Sequence, residues 1–211
     1  MARPAAAFLS PGVSLSLPAA GKPGVQAPRL DHATLAGRLT ALSGAGAMAV
    51  LTLAFTVVRE IQQRGEPVAW VLSGEQLFYP PDVRDSGVDC EAIVVVCVPD
   101  AGSIVRAAEL LARSGAFGLV VLDLGARWQI PLPMQARLLQ AAQRHDMVVL
   151  CLTGTPRTLP ALGSLMSLRL ETHRQPVADG QYRCEGVART DKRYGPGWRE
   201  GAVYAPPLGL C

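Results

Sequence analysis

Gly44, Glu75 and Asp123 are the residues whose types and surroundings could do chemistry, and that chemistry would be the handling of a nucleotide's phosphates. Gly44 opens a small-residue turn, SGAGA, between a strand-like RLTAL (38–42) and a helical MAVLTLAFTVVREIQQRG. This is the layout of a loop that wraps phosphates with backbone N–H groups. Asp123 follows the aliphatic run LVVL, where a carboxylate can hold magnesium, and Glu75 follows VAWVL, where one can orient water.

A working loop has the form G-x-x-x-x-G-K-[ST], with lysine for charge and a hydroxyl for the metal. The five-residue step from Gly44 lands on Ala49, and the next two positions hold Val50 and Leu51. Thr52 comes one residue late. Ammonium and hydroxyl are both missing, so nucleoside triphosphate binding by the usual route is not expected, and no cofactor is. A small-residue turn packing a buried helix on a sheet accounts for every residue here, with Glu75 and Asp123 vestigial.

Other catalytic arrangements lack a signature. His32, His145 and His173 are far apart and share no metal-ligand spacing, so no metal site is expected. No GxSxG-type nucleophile motif is present. The remaining chemistry lies in the basic C-terminal third. Arg157, Arg169, Arg174, Arg183, Arg189, Lys192, Arg193 and Arg199 outnumber the acids there, with Tyr182, Tyr194 and Trp198 interleaved. Arginine with aromatics suits single-stranded nucleic acid or a protein hot spot. A solvated strand edge guarded by charge is the plain alternative. Between the two functional readings, a protein partner is favoured over DNA, with Arg183, Arg189, Lys192, Arg193 and Arg199 as the candidate contacts.

Composition narrows the class. The 211 residues are 49% hydrophobic and 18% charged, enough for one domain with a substantial core. A net charge of +3 is too small for nucleic-acid binding by charge alone. The five cysteines are odd in number and form no CxxC; three sit in apolar runs, where a thiol behaves as a small hydrophobe. Reduced thiols, no signal-like core and no apolar run of roughly 18 residues make a cytoplasmic protein without a membrane span the expectation.

Residues 1–30 hold five prolines and read as an extended arm outside the core; 31–211 read as one domain. From Arg38 onward strands and helices alternate as βαβ units do. The expected strands are 38–42, 67–72, 92–98, 118–124 and 147–153, and the continuous run AIVVVCV (92–98) predicts a strand covered on both faces. The expected helices end at Gly65, run over 103–115 between Ser103 and Gly115 caps, and run over 134–146. LMSLRLETHRQ, GQYRCEGVART and EGAVYAPPLG alternate like antiparallel edge strands. The fold class is α/β, a mixed and mostly parallel sheet flanked by helices, with antiparallel C-terminal edge strands.

The order of these pieces resembles the core of the RecA recombinase family from Gly37 to about Leu210. GRLTALSG is similar to the strand entering its phosphate loop, and GEQLFYPPDVRDSGVD to the segment with its catalytic glutamate, which puts Glu75 in that role. PDAG and LARSGAFGLVVLDL resemble the helix and strand that end in its magnesium-holding aspartate, here Asp123. VVLCLTGTPR is similar to the family's phosphate-sensing strand, with Thr153 and Gly154 in place of the polar amides. GVARTDKRYGPG resembles its late hairpin. LGARWQIPLPMQ and TGTPRTLPALGS are too short to contain the family's DNA-binding loops. The resemblance therefore implies a RecA-like pseudo-ATPase. Length and the late hairpin look more like the ImuA group of SOS mutagenesis factors than like the SulA cell-division inhibitors. ImuA-likeness implies a non-enzymatic adaptor among an ImuB-like Y-family polymerase homologue, RecA and an error-prone replicative-type polymerase.

Overall fold

A computed structural model describes residues 28–44, 49–74, 78, 87–125, 129–154 and 162–204. The chain runs α1 (His32–Leu35), β1 (Leu39–Ser43), α2 (Val50–Gln63), β2 (Val68–Ser73), β3 (Ile93–Val98), α3 (Ala101–Ser114), β4 (Leu119–Asp123), α4 (Leu132–His145), β5 (Val148–Thr153), β6 (Met166–Pro176), β7 (Tyr182–Asp191) and β8 (Arg199–Tyr204). One eight-stranded sheet has the order β3-β2-β4-β5-β1-β6-β7-β8. Pairing is parallel from β3 through β6 and antiparallel between β6 and β7 and between β7 and β8.

The period of apolar residues explains the layers. β1, β2, β4 and β5 are buried on both faces because helices cover both. One layer is made by α2 over Trp70, Leu150, Leu168 and Leu170. The other is made by α3 and α4 over Ala69, Val120, Val149 and Leu39. β6 switches to strict alternation, with Leu168, Leu170 and Thr172 inward and Ser167, Arg169 and Glu171 outward, because a helix layer covers only one of its faces.

Several expectations change. AIVVVCV is not covered on both faces: β3 is the edge of the sheet, and Val94 and Val95, which point to opposite faces, are 47% and 42% exposed. A continuous apolar run reads the same at an edge as at the centre, so sequence could not separate them. Cys97 on β3 is exposed rather than a buried small hydrophobe, whereas Cys151 is buried and its thiol is pushed up to about 12 by that burial. The cap of α3 is Asp100, not Ser103. Its carboxylate accepts from the Ser103 N–H at 2.9 Å, and the helix ends at Gly115 with φ 69°. The end of the supposed arm joins the core, since Leu30 is buried with α1 and α2. Residues 1–27 lie outside the described residues. Helix α1, capped by the Asp31 side chain on the Thr34 N–H, was too short to carry a periodic signal.

A buried carboxylate fastens the antiparallel strands to the parallel ones. Asp191, at the end of β7, accepts from the Arg38 guanidinium at 2.7 Å, from the Arg193 and Tyr194 N–H groups at 2.8 and 3.2 Å, and from the Trp198 indole at 2.9 Å. Both ionic side chains are almost wholly buried. Burial alone would raise the Asp191 pKa, but these donors outweigh it and hold it below the usual value. Asp191→Ala should cost about 3–5 kcal/mol in urea unfolding, because it strands a buried guanidinium. Because the folded carboxyl has the lower pKa, its stabilisation is complete above the unfolded value near ~3.9 and drains as pH falls below it. Asp191→Asn should therefore flatten the acid limb of the stability profile.

Candidate functional site at the carboxyl edge of the sheet

The carboxyl ends of the central strands bring together Ser43, Ser73, Asp123 and Thr153, which close β1, β2, β4 and β5. Asp123 is half-buried and pairs in register with Leu152; β5 lies between its strand and β1, so about 10 Å separates the two strands. This is where open α/β sheets place chemistry. Glu75 lies outside the described residues, as do Ala45 and Ala47 of the turn.

The turn itself is committed to the fold at both ends. The Gly44 N–H donates to the Thr153 carbonyl at 3.3 Å, so the amide of the would-be first loop glycine is already used. Ser43 donates its hydroxyl to the Leu170 carbonyl at 3.3 Å. At the other end Ala49 caps α2 without a side-chain hydrogen bond, and no acid occupies the first turn. Val50, in the place of the lysine, is 7% exposed and belongs to the core beneath α2, whereas Leu51, in the place of the hydroxyl, is 53% exposed. Thr52, the hydroxyl one residue late, reaches the Cys184 thiol on β7 rather than the sheet edge. Burial pushes that thiol up, with Thr52 and Arg174 acting against it.

The five basic candidates are distributed differently from a free patch. Arg189 pairs with Glu171, and Arg199 with Glu185 at 3.5 Å. The Lys192 ammonium donates to the Ser164 carbonyl at 2.8 Å. Arg193 donates to the carbonyls of Ala33 and Ala36 at 3.3 and 3.4 Å, closing the end of α1. Arg183, opposite Gln175 in the β6–β7 register, makes no ion pair among the described residues. Exposed Tyr194 lies in the turn after β7. Arg38 and Asp191, the most heavily bonded pair in this region, were not singled out from sequence; only the arginine before β1 and the aspartate in TDKR could have signalled them.

Among the described residues no three metal-ligating side chains cluster, and no helix is long and apolar enough to cross a membrane.

The chain is 32% identical over 130 residues to the RecA protein of Deinococcus radiodurans, covering 56% of this chain and 36% of that one. It is 29% identical over 179 residues to Thermus aquaticus RecA, covering 68% and 52%, and 33% identical over 131 residues to Thermus thermophilus RecA, covering 56% and 38%. The core is RecA-like. The matches span from about a third to about half of those relatives' own length. No family model matches.

Val50 and Leu51 are not equivalent. Val50→Lys should lower stability by about 1–3 kcal/mol in chemical denaturation, because the first turn buries that side chain. Leu51→Thr should stay within about 0.5 kcal/mol, because its site faces solvent.

Proposed function

We propose that this chain is an ImuA-like, non-catalytic accessory protein of SOS-induced translesion DNA synthesis. It works by contacts with an ImuB-like Y-family polymerase homologue and with RecA, and through them with an error-prone replicative-type polymerase. The observation that carries the reading is the pair Val50 and Leu51: a core side chain and an exposed apolar one stand where phosphate chemistry needs an ammonium and a hydroxyl. The similarity to RecA proteins supports a place in DNA repair. A RecA-like sheet without that chemistry still offers its carboxyl edge and late hairpin as binding faces.

The cations of the C-terminal region favour protein contact over DNA. Four of the five candidates already serve glutamates or backbone carbonyls of the same chain, so a phosphate backbone would have to displace those partners. The division-inhibitor reading makes a separate forecast, namely filamented cells on expression.

Two measurements test the proposal. Purified chain should retain RecA and the ImuB-like homologue from the same cell in a pull-down, and a titration with ATP and magnesium should show neither micromolar binding nor turnover. Magnesium-dependent hydrolysis would overturn it. Changing Arg189, Lys192 and Arg193 to Ala should leave the salt slope of any oligonucleotide binding unchanged; a fall of about one per removed phosphate contact would favour direct DNA binding instead.

A further inference from the structure

The face of the sheet away from α2 is roofed by α3 and α4, and the outward sides of these helices are basic. Arg106, Leu110 and Arg113 recur at i, i+4 and i+7 on α3, and Arg137, Gln140 and Arg144 at i, i+3 and i+7 on α4. Each trio therefore lies along one stripe about 10 Å long. All six residues are exposed, Leu110 to 57%. Both helices cross between parallel strands, so they run in the same direction. Their ends are level, because a Cβ at Gly115 would lie 2.6 Å from the His145 ring. That step of 30 residues sets Leu110 beside Gln140 and brings Arg106 and Arg113 within one residue of Arg137 and Arg144. With packed helix axes about 8–10 Å apart, the four guanidiniums frame a patch roughly 10 Å on a side, and Leu110 and Gln140 form its middle rung.

These cations are less committed than those of the β6–β8 ribbon. Arg113 pairs with Glu109 at 3.8 Å across one helical turn, a contact that water and salt weaken. Arg137 meets the Met134 sulfur at 4.0 Å. Arg106 and Arg144 have no acidic partner among the described residues. Glu109 is the one acid within the two helices; Asp100 is spent on the cap of α3, and Asp146, past the end of α4, lies beside His32. An exposed leucine inside a frame of arginines suits a partner that brings carboxylates and an apolar side chain together. Neither helix holds a Phe, Tyr or Trp, the rings on which a single strand of nucleic acid stacks. An amphipathic helix repeats its side chains at the same seven-residue step, so acids two turns apart match a stripe and an apolar residue between them meets Leu110.

We propose that the α3–α4 face is a docking surface for an acidic amphipathic helix of a partner protein. Its carboxylates sit on the four arginines and its apolar side on Leu110. The face lies across the sheet from α2 and uses neither the carboxyl edge nor the late hairpin, so the inference is independent of the partner reading above.

Fluorescence anisotropy with the full chain tests it. The probe is a labelled acidic heptad peptide with Leu at a and d and Glu at e and g, whose own glutamates keep it from pairing with itself. Binding should be saturable and should weaken as salt rises from about 50 to about 200 mM. Arg106→Glu combined with Arg137→Glu should weaken it about tenfold or more, and Leu110→Asp should weaken it by a similar factor. The same peptide with Lys in place of Glu should bind the doubly reversed variant better than it binds the original chain, an exchange of preference that a folding defect does not produce. Arg64→Glu, at the end of α2 on the other side of the sheet, should leave the affinity unchanged. Absence of saturable binding up to about 1 mM peptide, indifference to the charge reversals, or no exchange of preference by the Lys peptide would each overturn the assignment. Tighter binding of a duplex of about 20 base pairs, lost with the same reversals, would overturn it too and mark the face for nucleic acid.

Discussion

The Asp191 carboxylate is the constraint on which the two halves of this sheet depend. A parallel core and an antiparallel ribbon have different hydrogen-bond spacings, and the join between them lies at β6, where the pairing with β1 and the pairing with β7 both shift register. Asp191 bridges that join from the far side of the ribbon. It collects donors from Arg38 ahead of β1, from its own turn and from Trp198. Removing any one water-excluded partner leaves charge in a low-dielectric interior, which is why such a cluster acts as a unit.

With the join fixed, α2 can serve both halves. It buries Val57, Val58 and Ile61 against the parallel strands, and Leu53 over the ribbon. A Cβ at Gly186 would lie 3.1 Å from a Leu53 methyl group, so a larger residue there would make Leu53 shift by a few tenths of an ångström. Trp70 fills the opposite end of the same layer, stacked on Phe55 with ring centres 5.0 Å apart. The helix that follows the small-residue turn is thus a clamp that reaches from β2 to β7, and Val50 belongs to that clamp.

Much of this was legible in the sequence. The strand–helix alternation, the buried runs VAWVL and LVVL, and the polar–apolar alternation of LMSLRLETH gave the sheet its members and its change of character at β6, because burial on two faces and on one face leave different periods. What escaped was whatever periodicity does not encode. The edge position of β3 depends on what lies beside it. The cap at Asp100 competes with an equally good capper three residues later, and the chain bends at the aspartate. At the site, the apolar character of Val50 and Leu51 is visible in the sequence, whereas the commitment of the Gly44 amide to Thr153 and of Thr52 to Cys184 depends on how the strands pair. The basic residues looked like one patch in sequence because sequence shows charges without their partners.

The open flank of β3 has a consequence for how the molecule behaves at high concentration. Its outward row of N–H and C=O groups is unpaired among the described residues, and valines rather than lysines flank it. Natural sheets usually guard such a border with charge or proline, since a bare one templates the addition of another strand. Among the described residues of the strand itself no charge or proline lines this border, which lies on the side away from the Asp191 lock.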